Sequence, residues 1–143
     1  MPSAVIAITG ASGSQYSVRL IEALVDADWD IFLTVTREGA INLKLECDIT
    51  PRELAEKHGI RLEQNQNLAA KSASGSARFD AYVICPASGT TIGKIAAGIS
   101  DNLATRSAIV AMKERRKLII VPRETPMATC LLYTSPSPRD RYG

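Results

Sequence analysis

Residues suited to binding an anion gather near the start of the 143-residue chain, where an apolar run stops. Residues 5–8 suit a buried strand and residues 15–25 carry apolar side chains at helical spacing; between them stand Gly10, Ser12 and Gly13. Glycine permits a positive φ or a close backbone approach, and the first amides of a helix attract negative charge. The pattern indicates a phosphate site, although two glycines three apart also occur in ordinary tight connections.

Hydroxyl groups follow two later apolar runs in the same way. Residues 31–36 form a second predicted strand, and Thr36 at its end serves either as a helix cap or as a ligand contact. Residues 79–85 form a third predicted strand, followed by a further helical pattern. The small and hydroxylic residues at that junction are Ser88, Gly89, Thr90 and Thr91.

Basic residues lie on both sides of a fourth predicted strand, residues 117–121. Arg106 and Lys113 are seven residues apart and therefore on one face of the preceding predicted helix, where they can share a target. The charged residues that follow the strand are Arg123 and Glu124. The basic cluster at residues 113–117 is either a solvated helix end or a phosphate site.

Helix boundaries are marked by capping residues. Thr50 followed by Glu53 predicts a capping box, and Gly59 predicts the end of that short helix. A separate short helix is predicted over residues 38–46, and Asp101 is the predicted cap of the helix that carries Arg106. Strands that each end in small, hydroxylic or charged residues and each precede a helix imply a doubly wound parallel α/β sheet with one site along its carboxyl edge.

Composition limits the range of functions. The net charge of +2 is too small to argue for nucleic acid, and no apolar run approaches the roughly 20 residues needed to cross a membrane. Three cysteines without paired metal-ligand spacing indicate no metal site. The N-terminus lacks a secretory signal pattern, so a cytoplasmic location is expected.

Five segments, in this order and spacing, resemble the flavin prenyltransferases of the UbiX family. They are T-G-A-S-G at 9–13, L-E at 45–46, P-A-S at 86–88, K-E-R-R at 113–116 and P-R-E-T-P at 122–126. The resemblance implies a flavodoxin-like or Rossmann-like three-layer fold and a homo-oligomer with sites between subunits. It also implies transfer of a dimethylallyl group from dimethylallyl phosphate to reduced FMN, without a metal. The product, prenylated FMN, would pass to a partner decarboxylase.

The resemblance also implies roles for particular residues. FMN binding falls to Gly10, Ala11, Ser12, Thr36, Ser88, Gly89, Thr90, Thr91 and Arg123. Binding of the prenyl phosphate falls to Arg106, Lys113 and Arg123. The catalytic residues are Ser12, Glu46 and Glu124; Ser12 and Glu124 handle protonation of the phosphate, and Glu46 lies near the reacting edge of the flavin.

Other functions fit part of the pattern. Residues 86–91 are similar to the P-A-S-A-N-T motif of flavin-dependent cysteine decarboxylases, although the asparagine is missing and His58 is poorly placed for their catalytic histidine. A non-catalytic FMN-binding module would need the glycine turns but not the combination of Lys113, Arg123 and Glu124. Those three residues also suit a plain ion-pair network at a helix end.

The resemblance stops near Met127. We expect residues 1–127 to form an incomplete flavin prenyltransferase-like domain and residues 128–143, which look like translated adapter sequence, to be a non-native, unstructured tail. The family's last strand and helix, with a late tyrosine and arginine of the pocket, have no counterpart here. The chain itself is therefore expected to be inactive.

Overall fold

Five parallel strands form one sheet in the computed structural model, which describes residues 1–123. The strands are β1 (Ser3–Ile8), β2 (Asp30–Val35), β3 (Arg61–Leu62), β4 (Ala81–Ala87) and β5 (Leu118–Pro122). Their order across the sheet is β3-β2-β1-β4-β5, so the direction of winding reverses between β1 and β4. In open α/β sheets, ligands bind beyond the carboxyl ends of the strands at such a reversal.

Helices cover both faces of this sheet. They are α1 (Ser14–Asp26), α2 (Arg37–Cys47), α3 (Pro51–His58), α4 (Gly89–Ala97) and α5 (Leu103–Lys113), with a single 3-10 turn at Lys71–Ala73. Alternate residues of β1 point to opposite faces: Ile6 and Ile8 pack with Ile21 of α1, whereas Ala7 packs with Ala108 of α5. The predicted doubly wound, three-layer α/β fold is confirmed.

Most predicted boundaries agree with the structure within two residues. The capping box is present, since the Thr50 hydroxyl accepts from the Glu53 amide at 3.1 Å and the Glu53 carboxylate accepts from the Thr50 amide at 3.2 Å. The predicted cap of α5 is wrong: Asn102 caps it, and Asp101 instead pairs with Lys94 at 3.0 Å. Strand β3 was not predicted because two residues are too few to show a pattern.

Arg116 connects the loop before β4 to the turn between α5 and β5. Its guanidinium donates to the carbonyl oxygens of Gly75 and Ala77, and at 3.0 Å to the hydroxyl of Tyr82, which is fully buried. Within one chain this member of the basic cluster is therefore neither a solvated helix end nor a phosphate ligand. It satisfies loop carbonyls that would otherwise lose their hydrogen bonds.

We expect Arg116→Ala to lower the free energy of unfolding by about 2–3 kcal/mol, because several hydrogen bonds from one charged group are lost together. Arg115→Ala is the matched control. The Arg115 side chain is exposed and forms no side-chain hydrogen bond within residues 1–123, so its loss should cost less than about 0.5 kcal/mol. Urea denaturation of both variants measures the difference, and equal costs would contradict this role of Arg116.

Candidate functional site

The turn between β1 and α1 depends on its two glycines for different reasons. Gly13 has φ 113°, in the left-handed region that residues with a side chain rarely adopt. Gly10 lies so close to Glu38, in the first turn of α2, that an added Cβ would overlap the Glu38 Cβ. The two possibilities predicted for these glycines, positive φ and close approach, are thus each realised once.

The first amides of α1 do point at an anion, and that anion is the carboxylate of Glu46 from α2. The Gly13 amide donates to its two oxygens at 3.2 and 3.3 Å, and the Ser14 amide donates at 3.2 Å. The Ala11 amide is also engaged, by the Thr9 carbonyl at 2.9 Å. The prediction placed a phosphate on residues 10–12; of these the Ala11 amide is already bonded within the chain, and Glu46 occupies the next two amides, those of Gly13 and Ser14.

Electrostatics favour the ionised form of Glu46. Partial burial by itself raises its pKa, but hydrogen bonds from Ser14 and Gly13, together with the charge of Arg123, outweigh that effect and hold the pKa of Glu46 below its ordinary value. The Arg123 amide donates to the Ala87 carbonyl at 3.1 Å, which fixes the residue just beyond β5. At neutral pH, Glu46 is therefore an anion and an acceptor.

Three of the predicted site residues thus lie at one corner of the sheet. Ser12 is exposed in the β1–α1 turn, next to the amides that bind Glu46, and Arg123 is near enough for its charge to act on that carboxylate. Glu124, the third predicted catalytic residue, lies beyond residue 123 and thus outside the part of the chain that the structure describes.

Thr9 joins the two strand ends at the reversal point, although it was not among the predicted site residues. Its hydroxyl donates to the Pro86 carbonyl at 2.6 Å and accepts from the Ser88 amide at 2.9 Å, and its own amide donates to the same carbonyl at 3.2 Å. Thr9 is fully buried. This three-bond contact holds the turns after β1 and β4 in register.

A cleft of about 300 Å³ lies beside these turns, beyond the carboxyl ends of the strands. Its lining residues are Gly10, Thr36, Arg37, Glu38, Asn65, Gln66, Ser88, Thr90, Thr91, Lys94 and Asn102. Three of them, Thr36, Ser88 and Asn102, are the caps of α2, α4 and α5. Each accepts from the amide three residues later, at 3.0, 3.2 and 2.9 Å respectively.

The convergence of three helix starts makes this cleft suited to an anion. The amino end of a helix carries a partial positive charge, and here the caps are neutral side chains. The first turns of α4 and α5 contain no acidic residue, whereas that of α2 contains Glu38. Arg37 and Lys94 add two cations to the lining, and Glu38 adds one carboxylate. The hydroxyl groups of Thr36, Ser88, Thr90 and Thr91 fit a polar, phosphate-bearing ligand such as FMN.

The structure does not bring Lys113 and Arg106 to this cleft. Helix α5 starts at the cleft and runs back along the sheet, so that Lys113, its last residue, lies roughly 16 Å away along the helix axis. It is near the beginning of β4, where the Lys117 carbonyl accepts from the Tyr82 amide. Arg106 is exposed one turn into α5 and does not line the cleft.

Other candidate chemistry finds no support in the described part of the chain. Residues 1–123 contain no cluster of three or more histidine, cysteine or acidic residues that could hold a metal. None of the helices in that range is long and apolar enough to cross a membrane. His58, the one histidine of the chain, ends α3 just before β3 begins, at the opposite edge of the sheet from the cleft.

Known proteins and one family profile match most of this chain. The sequence profile described as flavoprotein matches residues 2–140. The chain is 42% identical over 125 residues to the flavin prenyltransferase UbiX of Thermoplasma acidophilum, with 87% of this chain and 68% of that protein covered. The chain belongs to the flavin prenyltransferases, within the flavoprotein family. It spans about two thirds of that relative's length.

Solved structures also match the fold of this flavin prenyltransferase. The crystal structure of AnUbiX (PadA1) in complex with FMN and dimethylallyl pyrophosphate matches with a TM-score of 0.89 at 31% identity, covering 93% of this chain and 70% of that one. A dodecameric FMN-dependent UbiX-like decarboxylase from Escherichia coli O157:H7 matches with a TM-score of 0.88 at 32% identity, covering 92% and 72%.

We expect the stabilising effect of Glu46 to depend on pH. Because its pKa is lowered in the folded chain, its contribution is present at neutral pH and is lost as the pH falls through the folded-state pKa. Glu46→Gln should therefore lower the free energy of unfolding at pH 7, by at most about 1 kcal/mol because solvent screens an exposed carboxylate. Once the pH is below the folded-state pKa of Glu46, the variant and the wild type should be equally stable.

Urea denaturation between pH 3 and pH 7 measures this effect. Glu56→Gln is the control, since Glu56 is exposed on α3 and its side chain forms no ion pair or hydrogen bond within residues 1–123. A difference between Glu46→Gln and wild type that stays constant with pH would contradict the electrostatic role of this carboxylate.

Proposed function

We propose that this chain transfers a dimethylallyl group from dimethylallyl phosphate to reduced FMN. The observation that carries the proposal is that two features adjoin at the β1/β4 reversal. One is a cleft that suits a phosphate; the other is a corner of the sheet where Ser12 of the β1–α1 turn lies near Glu46 of α2 and Arg123 after β5. Gly10 belongs to both, because it lines the cleft and begins the turn. Membership of the flavin prenyltransferases, and the similarity to a structure that binds FMN and dimethylallyl pyrophosphate, support this function.

We assign the phosphate of FMN to the cleft rather than to the β1–α1 turn. Thr36, Ser88, Thr90 and Thr91 supply hydroxyls there beside the starts of α2 and α4, whereas the Ala11, Gly13 and Ser14 amides at the turn bind the chain's own groups. Gly10, Ala11 and Ser12 would then hold the rest of FMN, as would Gly89, which follows the Ser88 cap. The bound cofactor supplies a nucleophilic reduced ring.

The protein's part in the reaction is to bind the departing phosphate. Breaking the carbon–oxygen bond of a prenyl phosphate builds negative charge on the leaving group, and fixed cations that bind this charge more tightly in the transition state lower the barrier. We assign this role to Arg123, Lys113 and Arg106. Ser12 and Glu124 would handle the protons of the phosphate, and the ionised Glu46 holds the turn on which Ser12 stands.

A homo-oligomer follows from where these cations lie. Arg123 is at the carboxyl edge of the sheet and Lys113 is near the opposite edge, so one chain cannot direct both at one phosphate. We infer that Lys113 of one subunit completes the site of another. Passage of prenylated FMN to a partner decarboxylase and a cytoplasmic location complete the proposal, with residues 1–127 as the flavin prenyltransferase-like domain.

The direct test is anaerobic incubation of the 143-residue chain with reduced FMN and dimethylallyl phosphate. A flavin with the mass and absorbance of the prenylated product would support the proposal, and its absence would leave standing the sequence-based expectation that this chain is inactive. Lys113→Ala and Glu124→Gln should slow its formation about 10²- to 10³-fold, the effect of losing one transition-state contact, while leaving FMN affinity nearly unchanged. Unaltered turnover in both variants would favour the ion-pair network, and FMN binding without any product would favour a non-catalytic module.

Subunit mixing tests the shared site. We expect Lys113→Ala and Arg123→Ala each to be nearly inactive, and hetero-oligomers of the two, purified by two different tags, to regain activity because some sites contain both native cations. Each variant coexpressed with a differently tagged copy of itself is the control. Hetero-oligomers that form but remain as inactive as the controls would contradict a site shared between subunits.

A further inference from the structure

Asn65 lies in the loop after β3 and makes three hydrogen bonds at one point of the structure. Its backbone carbonyl accepts from the Leu103 amide at 2.7 Å, and its side-chain Oδ1 accepts from the Ala104 amide at 3.1 Å and from the Thr34 hydroxyl at 3.4 Å. Two of the first amides of α5 are therefore satisfied by this one residue. Asn102 satisfies a third, that of Thr105.

These bonds fix the orientation of the Asn65 carboxamide. A backbone amide can only donate, so the atom facing Ala104 must be the acceptor Oδ1, and the amino group Nδ2 takes the other position. Nδ2 has no hydrogen-bond partner within residues 1–123, and Asn65 is half-buried in the lining of the cleft. The Oδ1 of Asn65 thus already accepts two hydrogen bonds, whereas its Nδ2 is a donor without a partner in the described part of the chain.

Capping α5 does not by itself explain this arrangement. Helix α5 uses only the Oδ1 of the Asn65 side chain. An aspartate would offer the same acceptor oxygen, and its negative charge would in addition be stabilised by the helix dipole. What an aspartate lacks is the donor, and it would add a second carboxylate to a cleft that already contains Glu38. A neutral amide with a free N–H suits a position that faces a bound anion.

We propose that Asn65 is a further FMN-binding residue, whose Nδ2 donates a hydrogen bond to the phosphate of FMN. The proposal rests on the proposed function, which places that phosphate in this cleft. The same carboxamide fixes the start of α5, so cofactor binding and the position of α5 share one side chain. Asn65 belongs to a polar loop whose sequence shows no site motif.

Asn65→Asp separates binding from structure, because it keeps the acceptor for α5 but replaces the donor by a charged oxygen. We expect a melting temperature equal to or above that of the wild type. The Kd for FMN should rise roughly 10- to 100-fold, which corresponds to loss of one charge-assisted hydrogen bond. The Kd for riboflavin, which lacks the phosphate, should stay within about twofold of the wild-type value.

The matched control is Asn67→Asp, two residues along the same loop. The Asn67 side chain accepts from the Ala69 amide at 3.0 Å and does not line the cleft, so this variant should bind both flavins as the wild type does. Fluorescence quenching titrations with FMN and riboflavin give the affinities. Riboflavin binding also reports whether each variant is folded.

The possible results separate the two proposals. Equal FMN affinity in wild type and Asn65→Asp would overturn the role of Asn65 and leave the proposed function standing. Equal weakening of FMN and riboflavin would overturn the assignment to the phosphate. Failure of the wild type itself to bind FMN would overturn both the proposed function and the role of Asn65.

Discussion

Unpaired amides at helix starts are the constraint around which this structure is built. Four helices begin at the carboxyl edge of the sheet, and each leaves several N–H groups without an intrahelical acceptor. The fold satisfies them in two ways. Helix α1 receives a charged carboxylate from α2, that of Glu46, whereas α2, α4 and α5 receive neutral caps from Thr36, Ser88 and Asn102.

The choice between a charged and a neutral cap decides where an anion can bind. A carboxylate at the start of α1 compensates the positive end of that helix and occupies its amides. Neutral caps satisfy individual N–H groups but leave the dipoles of three helices directed at one cleft. Phosphate binding is therefore favoured beside α2, α4 and α5, and the β1–α1 turn serves as a wall held in place by Glu46.

Topology has a further consequence for catalysis. Helix α5 starts at the carboxyl edge and leads into β5, which begins at the opposite edge, so Lys113 at the end of α5 is carried away from the cleft that the start of α5 helps to form. A reaction that needs Lys113 and Arg123 on one phosphate must then combine two copies of the chain. Assembly is in this view a requirement of the site and not only of stability.

Local signals determined much of the fold from the sequence alone. The apolar run of β1, the glycines at 10 and 13 and the Thr50–Glu53 capping box involve residues a few positions apart. Their geometry is therefore fixed by short-range sterics and hydrogen bonding. The positions of Ser12, Thr36 and Ser88 at strand ends followed from the same patterns. These features predicted the α/β class and the edge of the sheet that carries the site.

The tertiary structure alone decided which residues of the site bond to one another. The bond between Glu46 and Ser14 joins residues 32 apart, and that between Asn65 and Ala104 joins residues 39 apart. No local pattern marks either pair, because their meeting depends on the order of the strands and the path of the loops. Lys113 and Arg123 are only ten residues apart in the chain, and the sequence therefore suggested that they act together. In the structure the length of β5 separates them, so that they lie at opposite edges of the sheet.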